Sequence, residues 1–369
     1  MNLKETPLSN IHRELGAKMA PFGGFLMPIQ YGGIIAEHSW TRSSCSIFDI
    51  CHMGEFIIQG DYSKSGLDRI VTMRLKDMPM QSCRYGFMLN DEGGVIDDLI
   101  VYRIEQEERM LVVNAVNVTK DEENIRKNLS WDSHFNNVSA NIAKLDIQGP
   151  LSLDVLRNIS GDIISGLSYY TFDDFMIEGE EYLISRTGYT GELGYELYAT
   201  TSHAENLWKM LLEDKRVKPA GLGARDILRL EMGYPLCGHE LDQDTTPPEA
   251  HLMRFVDMDK DFIGKDRLMK QKKRGVKKIL VALASSGRRS PRAGYKIFSG
   301  EKEIGYITSG SFSPSLGSGI ALGYVGPEYN KIGLELNIVN ESIEIEVRIV
   351  KKPIYTEGTF NKEISYENC

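Results

Sequence analysis

The chain has 369 residues, and 43 Lys and Arg against 52 Asp and Glu give it a formal net charge of −9. With 41% apolar and 26% charged residues it can bury a large core in two or three structural units, and it is too balanced for general disorder. The acidic balance excludes the general electrostatic footprint of a nucleic-acid binder, and no run reaches the roughly 18 uninterrupted apolar residues of a membrane span.

The N-terminal segment has no basic stretch followed by an apolar one, so the chain is expected to be soluble, unexported and cytoplasmic, with neither membrane nor nucleic acid as partner. Five cysteines (Cys45, Cys51, Cys83, Cys237 and Cys369) form no C-x-x-C pair, and seven histidines form no H-E-x-x-H. Neither disulfides nor a bound metal is expected, and the cysteines read as small buried side chains.

In chain order, residues 1–33 are rich in Pro and Gly and read as loop, and 34–43 read as a short helix. Strands follow at 46–50 and 55–59, then a helix at 62–73. Residues 84–90 and 95–104 read as a hairpin turned at Asp91-Glu92-Gly93-Gly94. A strand at 110–116 precedes Thr119-Lys120-Asp121-Glu122, a capping box predicted to start a helix running to residue 129. A strand at 144–148 ends at Gly149-Pro150, before a helix at 151–159. Strands at 181–186 and 196–199 lead to a second capping box, Ser202-His203-Ala204-Glu205, and to helices at 207–212 and 222–232. After a basic run at 270–278, six short strands (278–284, 295–298, 303–309, 320–325, 334–339 and 343–349) suggest a small antiparallel barrel or sandwich. The order is α+β without the βαβ spacing of a doubly wound sheet, and the expected domains are 1–275 and 276–369.

Three constellations place polar residues in unusual settings. In Gly93-Gly94-Val95-Ile96-Asp97-Asp98-Leu99-Ile100-Val101-Tyr102, two carboxylates sit in an apolar strand, where burial is costly unless they are paired or hydrogen-bonded. Alternation sends Asp97 and Asp98 to opposite faces, which disfavours a two-carboxylate glycosidase, and gives Asp98 the face of Ile96, Ile100 and Tyr102, a wall suited to a flat ligand. Either one aspartate is functional and the other structural, or both are solvated or bonded to backbone near the turn. In Arg186-Thr187-Gly188-Tyr189-Thr190-Gly191-Glu192-Leu193-Gly194-Tyr195-Glu196, the glycines recur every third residue, unlike a G-x-G-x-x-G or P-loop, and let backbone approach a planar ligand. Glu196 is either a surface residue beside a tight turn or an acceptor of two parallel hydrogen bonds from the edge of a 2-amino-4-oxo heterocycle. In the 221–231 segment, Arg225 and Arg229 lie four apart on one helix face. They serve either an anionic or carbonyl-bearing ligand or a solvated face shared with Asp226 and Glu231.

Together these segments resemble the aminomethyltransferase, or T-protein, family of the glycine cleavage system, collinearly over nearly the whole chain. The similarity also runs through Thr6-Pro7-Leu8, Phe22-Gly23-Gly24, Met27-Pro28-Ile29-Gln30-Tyr31, Phe48-Asp49-Ile50-Cys51-His52-Met53, Gln148-Gly149-Pro150, Asp261-Phe262-Ile263-Gly264-Lys265 and Ile307-Thr308-Ser309-Gly310-Ser311-Phe312-Ser313-Pro314-Ser315-Leu316-Gly317. The sequence departs from the family pattern at Phe25, Cys51 and Cys237, over 76–83, in part over 246–250, and after Tyr355. The resemblance implies two intertwined folate-binding lobes plus a C-terminal antiparallel β-barrel around a tetrahydrofolate site. It implies transfer of an aminomethyl-derived carbon from the lipoyl arm of an H-protein, with release of ammonia. By the same resemblance Asp98 is the critical carboxylate, Glu196 binds the 2-amino and N3–H edge of the folate, and Arg225 holds a polar or anionic part of it. Tyr189 and Tyr102 are then candidates for packing or hydrogen bonding to the ligand, or plain core residues.

A partner of acidic character would meet Lys270, Lys272, Lys273, Arg274, Lys277 and Lys278, a run that also reads as a solvated linker, or Arg288, Arg289 and Arg292. The rival readings are a folate-dependent demethylase on the same fold and a non-catalytic folate-binding relative. The latter usually carries a Lys-Gly-Cys motif that this sequence lacks.

Overall fold

Two sheets are woven from alternating stretches of the chain, which a computed structural model describes over residues 3–341 and 343–361. Cys45–Asp49 enters a six-stranded sheet. The chain then leaves to lay down Gly54–Gln59, Cys83–Leu89, Val95–Glu105, Glu108–Val113 and His134–Asn137 as a five-stranded sheet. It returns at Ile142–Gln148 and completes the first sheet with Phe172–Ile177, Glu180–Ser185, Gly194–Thr200 and Val217–Pro219. The fold is α+β, and this exchange of strands is what intertwines its two lobes.

Alternation along Ile142–Gln148 sorts the six-stranded sheet into two faces. Ala143, Leu145 and Ile147 join Ile47, Tyr195 and Leu197 in a core closed by the helices Ser152–Ser160 and Ala204–Glu213, with Trp208 at its centre. Lys144, Asp146 and Gln148 point the other way and are nonetheless buried. In the five-stranded sheet, Phe56, Leu99, Val101 and Leu111 pack on Ile125 of the helix Val118–Asn128.

Ile279–Ser285, Ser318–Val325, Lys302–Ser313, Lys296–Ser299, Glu335–Asn340 and Ile343–Val350 close a six-stranded antiparallel barrel in that order. Val281, Leu283, Ile338, Ile345 and Val347 fill its interior. The outward residues Leu280, Ala282, Ile320, Leu322 and Tyr324 are also buried, against Phe87, Leu89, Leu230 and Phe262. Each aliphatic side chain so covered contributes roughly 1.5–3 kcal/mol, so this seam fixes the barrel against the lobes.

Several sequence expectations change. Residues 1–33 contain the helix Ser9–Glu14 and a ribbon of Lys18–Phe22 with Phe25–Gln30. Pro21 and Pro28 fit there because a two-stranded ribbon has only edge strands. The helix foreseen at 62–73 shrinks to Leu67–Ile70, since Gly66 takes φ +86° before it and Val71 is extended after it. Neither capping box forms. A 3₁₀ turn at Ala115–Asn117 runs into the helix ahead of Thr119, and Glu122 instead accepts from Asn137 and Arg126. Ser202 lies within the 3₁₀ turn Thr201–His203, while Glu205 pairs with Lys209.

The basic run is no linker: it belongs largely to the helix Lys265–Arg274, anchored by buried Leu268, and Lys278 donates to Thr245 Oγ1 at 2.8 Å. Cys45, Cys51 and Cys83 are buried, Cys237 is only partly so, and Cys369 lies outside the described residues. No described helix is long and apolar enough to cross a membrane.

Candidate active site

The Gly93-Gly94 turn delivers the paired aspartates. A Cβ on Gly94 would fall 1.7 Å from the Gln243 carbonyl oxygen, so only glycine lets the turn press on the 242–245 loop. Two carbonyls of that loop, Asp242 and Thr245, accept from the Val95 N–H. Beyond this anchor Asp97 is fully buried and accepts from the Asn114 N–H at 2.9 Å, from Asn114 Nδ2 at 2.9 Å and from Asn117 Nδ2 at 2.7 Å.

Asp98 accepts from the Tyr85 hydroxyl at 2.8 Å and from the same Asn114 Nδ2 at 3.0 Å. One amide therefore bridges the two carboxylates, which alternation had sent apart, and their oxygens and Cys237 Sγ lie within 4.8 Å of one another. Asn114 and Asn117 already aim N–H donors at these atoms, an arrangement that stabilises anions rather than a cation. Burial, and then the charge of Asp97, push Asp98 up to about 7, against the opposing bonds from Tyr85 and Asn114.

Asp98 is the only carboxylate among the described residues lining a cavity of about 950 Å³ between the lobes and the barrel. Its walls are aromatic. Tyr85 meets Phe255 edge-on at 4.7 Å, and Tyr189 stacks on Tyr234 at 5.8 Å. Tyr170, also on the wall, holds φ +65°, a conformation that costs a non-glycine residue roughly 1 kcal/mol or more and recurs at functional sites. Arg254, Lys351 and Lys352 line a cationic part of the cavity, and burial together with Arg254 pulls Lys352 down to about 8.

Glu196, Arg225 and Tyr102 lie off the cavity lining, in the polar face of the six-stranded sheet. Register sets Glu196 opposite both Asp146 and Ser185. Glu196 Oε2 accepts from Thr187 Oγ1 at 2.8 Å and from Tyr102 at 3.4 Å, and pairs with Lys144 Nζ at 3.1 Å. Among the described residues, hydrogen bonds reach only that oxygen and leave Oε1 unclaimed. Burial alone would raise Glu196, but Lys144, Arg225 and Thr187 hold it below the usual range. Arg225 donates to Asp146, and its guanidinium lies 5.2 Å from the centre of the Tyr189 ring, which links the cluster to the cavity wall. Burial pushes Asp146 up to about 6 despite Arg225.

The wall foreseen beside Asp98 is closed at its far end, because Tyr102 is fully buried against Phe172 and Tyr198. Sequence reasoning missed Tyr85, Asn114, Lys144 and Asp146. Hairpin register could have found the first two: Tyr85 opposes Ile100 on the Asp98 face, and extending the Ile100–Val112 pairing by two residues puts Asn114 opposite Asp98.

Residues 8–260 match the family model described as GCVT N-terminal domain, and residues 278–356 that described as Glycine cleavage T-protein C-terminal barrel domain. The chain is 43% identical over 355 residues to the aminomethyltransferase of Halothermothrix orenii, covering 95% of this chain and 99% of that one. It is 40% identical over 367 residues to the aminomethyltransferase of Thermotoga maritima, covering 98% and 100%. The crystal structure of glycine cleavage system aminomethyltransferase T from Bartonella henselae matches with a TM-score of 0.89 at 31% identity, over 97% of this chain and 100% of that chain. With both of its parts matched along nearly their whole length, the chain belongs to the glycine cleavage T-protein family of aminomethyltransferases.

Proposed function

We propose that this aminomethyltransferase binds tetrahydrofolate in the cavity beside Asp98. There the folate would receive the carbon that an H-protein carries as an aminomethyl thioether on its lipoyl arm. In that reaction the bonds from the methylene carbon to sulfur and to nitrogen break, and bonds to folate N5 and N10 form. The two N–H protons released by the folate leave on the lipoyl sulfur and on ammonia, which departs as ammonium.

The observation that carries this reading is Asp98, the carboxylate on an aromatic cavity wall, steered by Tyr85 and Asn114; burial and Asp97 push it up to about 7. As a carboxylate it would orient the attacking amine, stabilise the positive charge that develops there and take up a proton. Tyr189 would supply stacking surface, and the unclaimed Oε1 of Glu196 would take the 2-amino and N3–H edge. Arg225 would fix the Glu196–Asp146 cluster beside that edge, and Tyr102 would brace Glu196 from behind.

The carrier would dock through exposed cations, for which Arg288, Arg289 and Arg292 are available on the barrel. Changing Arg288 and Arg289 to Glu is expected to weaken association and flatten its salt dependence. The decisive experiment mixes the protein with tetrahydrofolate and an aminomethylated lipoyl carrier and follows ammonia. Release that requires folate is the expected result, and formaldehyde-level product without ammonia would refute the reading.

A further inference from the structure

Behind the aspartate pair sits a third carboxylate. Asp121, on the helix Val118–Asn128, is fully buried, and among the described residues neither of its oxygens receives an N–H or O–H from a hydrogen-bonding donor of another kind. It lies one helical turn after Asn117, which donates to Asp97 at 2.7 Å, so the Asp97 carboxylate is its neighbour. Asp97, by contrast, already takes three N–H donors from Asn114 and Asn117. Two neighbouring buried carboxylates do not both stay anionic without a cation between them. Lys120, its neighbour on the same helix, is exposed and donates to Asn117 instead.

We propose that Asp121 is a positioning residue held as a neutral carboxylic acid, whose hydrogen is donated to Asp97 and thereby fixes the charge that Asp98 experiences. The inference rests on the role given to Asp98 above. The charge stays on the partner that has amide donors, and the proton on the partner that has none. Burial and the proximity of Asp97 together push Asp121 up to about 10, in line with that division.

The consequence reaches the cavity through Asn114, which holds Asp97 and Asp98 with one amide nitrogen. Asp98 is faced by Asp97 on its own strand, by Tyr85 across the hairpin, and by Tyr189 and Cys237 from the segments packed over it. Within that set Asp97 is the one other carboxylate, and Asp121 stands behind it. Without the Asp121 hydrogen the Asp97–Asp98 pair loses a donor, so its full ionisation would need a higher pH.

The test pairs two variants of the full chain with two readouts. Asp121→Asn keeps an uncharged N–H donor toward Asp97, so the acid limb of the pH profile for kcat/KM is expected to stay in place. Asp121→Leu removes the donor, so the limb is expected to move up by roughly half a pH unit or more. A downward shift in Asp121→Asn would show that Asp121 is ionised in the native protein and overturn the proposal, as would an unmoved limb in Asp121→Leu.

Should Asp121→Leu fail to fold, infrared difference spectra of the wild type against Asp121→Asn at mildly alkaline pH decide the matter. A protonated-carboxyl C=O stretch present only in the wild type supports the proposal, and its absence overturns it. This readout needs no turnover, so it stands apart from the fate of the folate reading, which is tested by Asp98→Asn.

Discussion

Asp98 and Glu196 are both carboxylates that accept from a tyrosine hydroxyl, yet their surroundings drive them in opposite directions. Asp98 faces an open cavity, has neutral donors in Tyr85 and Asn114 and a like charge next door in Asp97, and is pushed up to about 7. Glu196 lies in a closed cluster with Lys144 and, through Asp146, Arg225, and is held low. One fold thus provides a carboxylate poised to exchange a proton near neutrality and another committed to remaining an anion. A reaction that must both move protons and grip a polar heterocycle needs both kinds.

The comparison breaks most sharply at Asp98. Asp98→Asn preserves shape and its bond from Tyr85 but removes the charge, and turnover should fall by about 10²–10⁴-fold with little change in folate binding. Steady-state ammonia release checks this, and near-normal kcat would sink the assignment. In the wild type the same group predicts an acid limb, with kcat/KM declining as pH drops through about 7.

At Glu196 the expected loss is of stability and affinity rather than rate. Lys144→Met leaves a buried carboxylate without its cation, and loss of one partner of such a pair costs about 3–5 kcal/mol. Denaturant melts would show it, accompanied by a raised folate KM. A variant with wild-type stability would mean that Arg225 alone neutralises the cluster.

How far these two sites were legible in the sequence follows from the range of the signals involved. The helix Ile34–Ser43, the Asp97–Asp98 hairpin and the Leu222–Glu231 helix carry local periodicity and turn chemistry, and they stand where these place them. The ribbon in the first 30 residues was hidden because prolines usually mark loops, and the capping boxes misled because the helices they announce begin out of 3₁₀ turns. In the barrel, Ile343–Val350 alternates strictly and faces solvent on one side, whereas Ile279–Ser285 is apolar up to its last residue because its outer face is covered by the lobes.

The site divides along the same line. Asp98 announces itself as a charge inside an apolar strand. Lys144 and Asp146 look like ordinary outward residues of an alternating strand, and only the packing of one lobe on the other buries them. Asn114, just past the end of its strand, is reached through a register that must be assembled before it can be read.

A subtler effect separates rate from stability at Asp98. Its ionisation lies above that of an unfolded Asp, so between about pH 4 and 7 the native state binds more protons than the unfolded chain, and stability falls as pH rises through that window. Asp98→Asn removes the burden. Its melting temperature should exceed the wild type's above neutrality, and the gain should vanish below about pH 4, where both states hold the proton. A gain that is constant across pH would instead indicate improved packing.

The smallest expected effect tests the brace behind Glu196. Tyr102 contributes one long hydrogen bond, 3.4 Å, to an oxygen that Thr187 and Lys144 also hold, while its ring is fixed by Phe172 and Tyr198. Tyr102→Phe keeps the ring and leaves the Tyr198 hydroxyl short of its acceptor, so a loss of about 1 kcal/mol in stability is expected, with kcat unchanged and folate KM raised at most a few-fold. If kcat fell instead, the Tyr102 hydroxyl would be acting on the reacting atoms through Glu196, and the grip on the heterocycle edge would no longer be separable from the chemistry at Asp98.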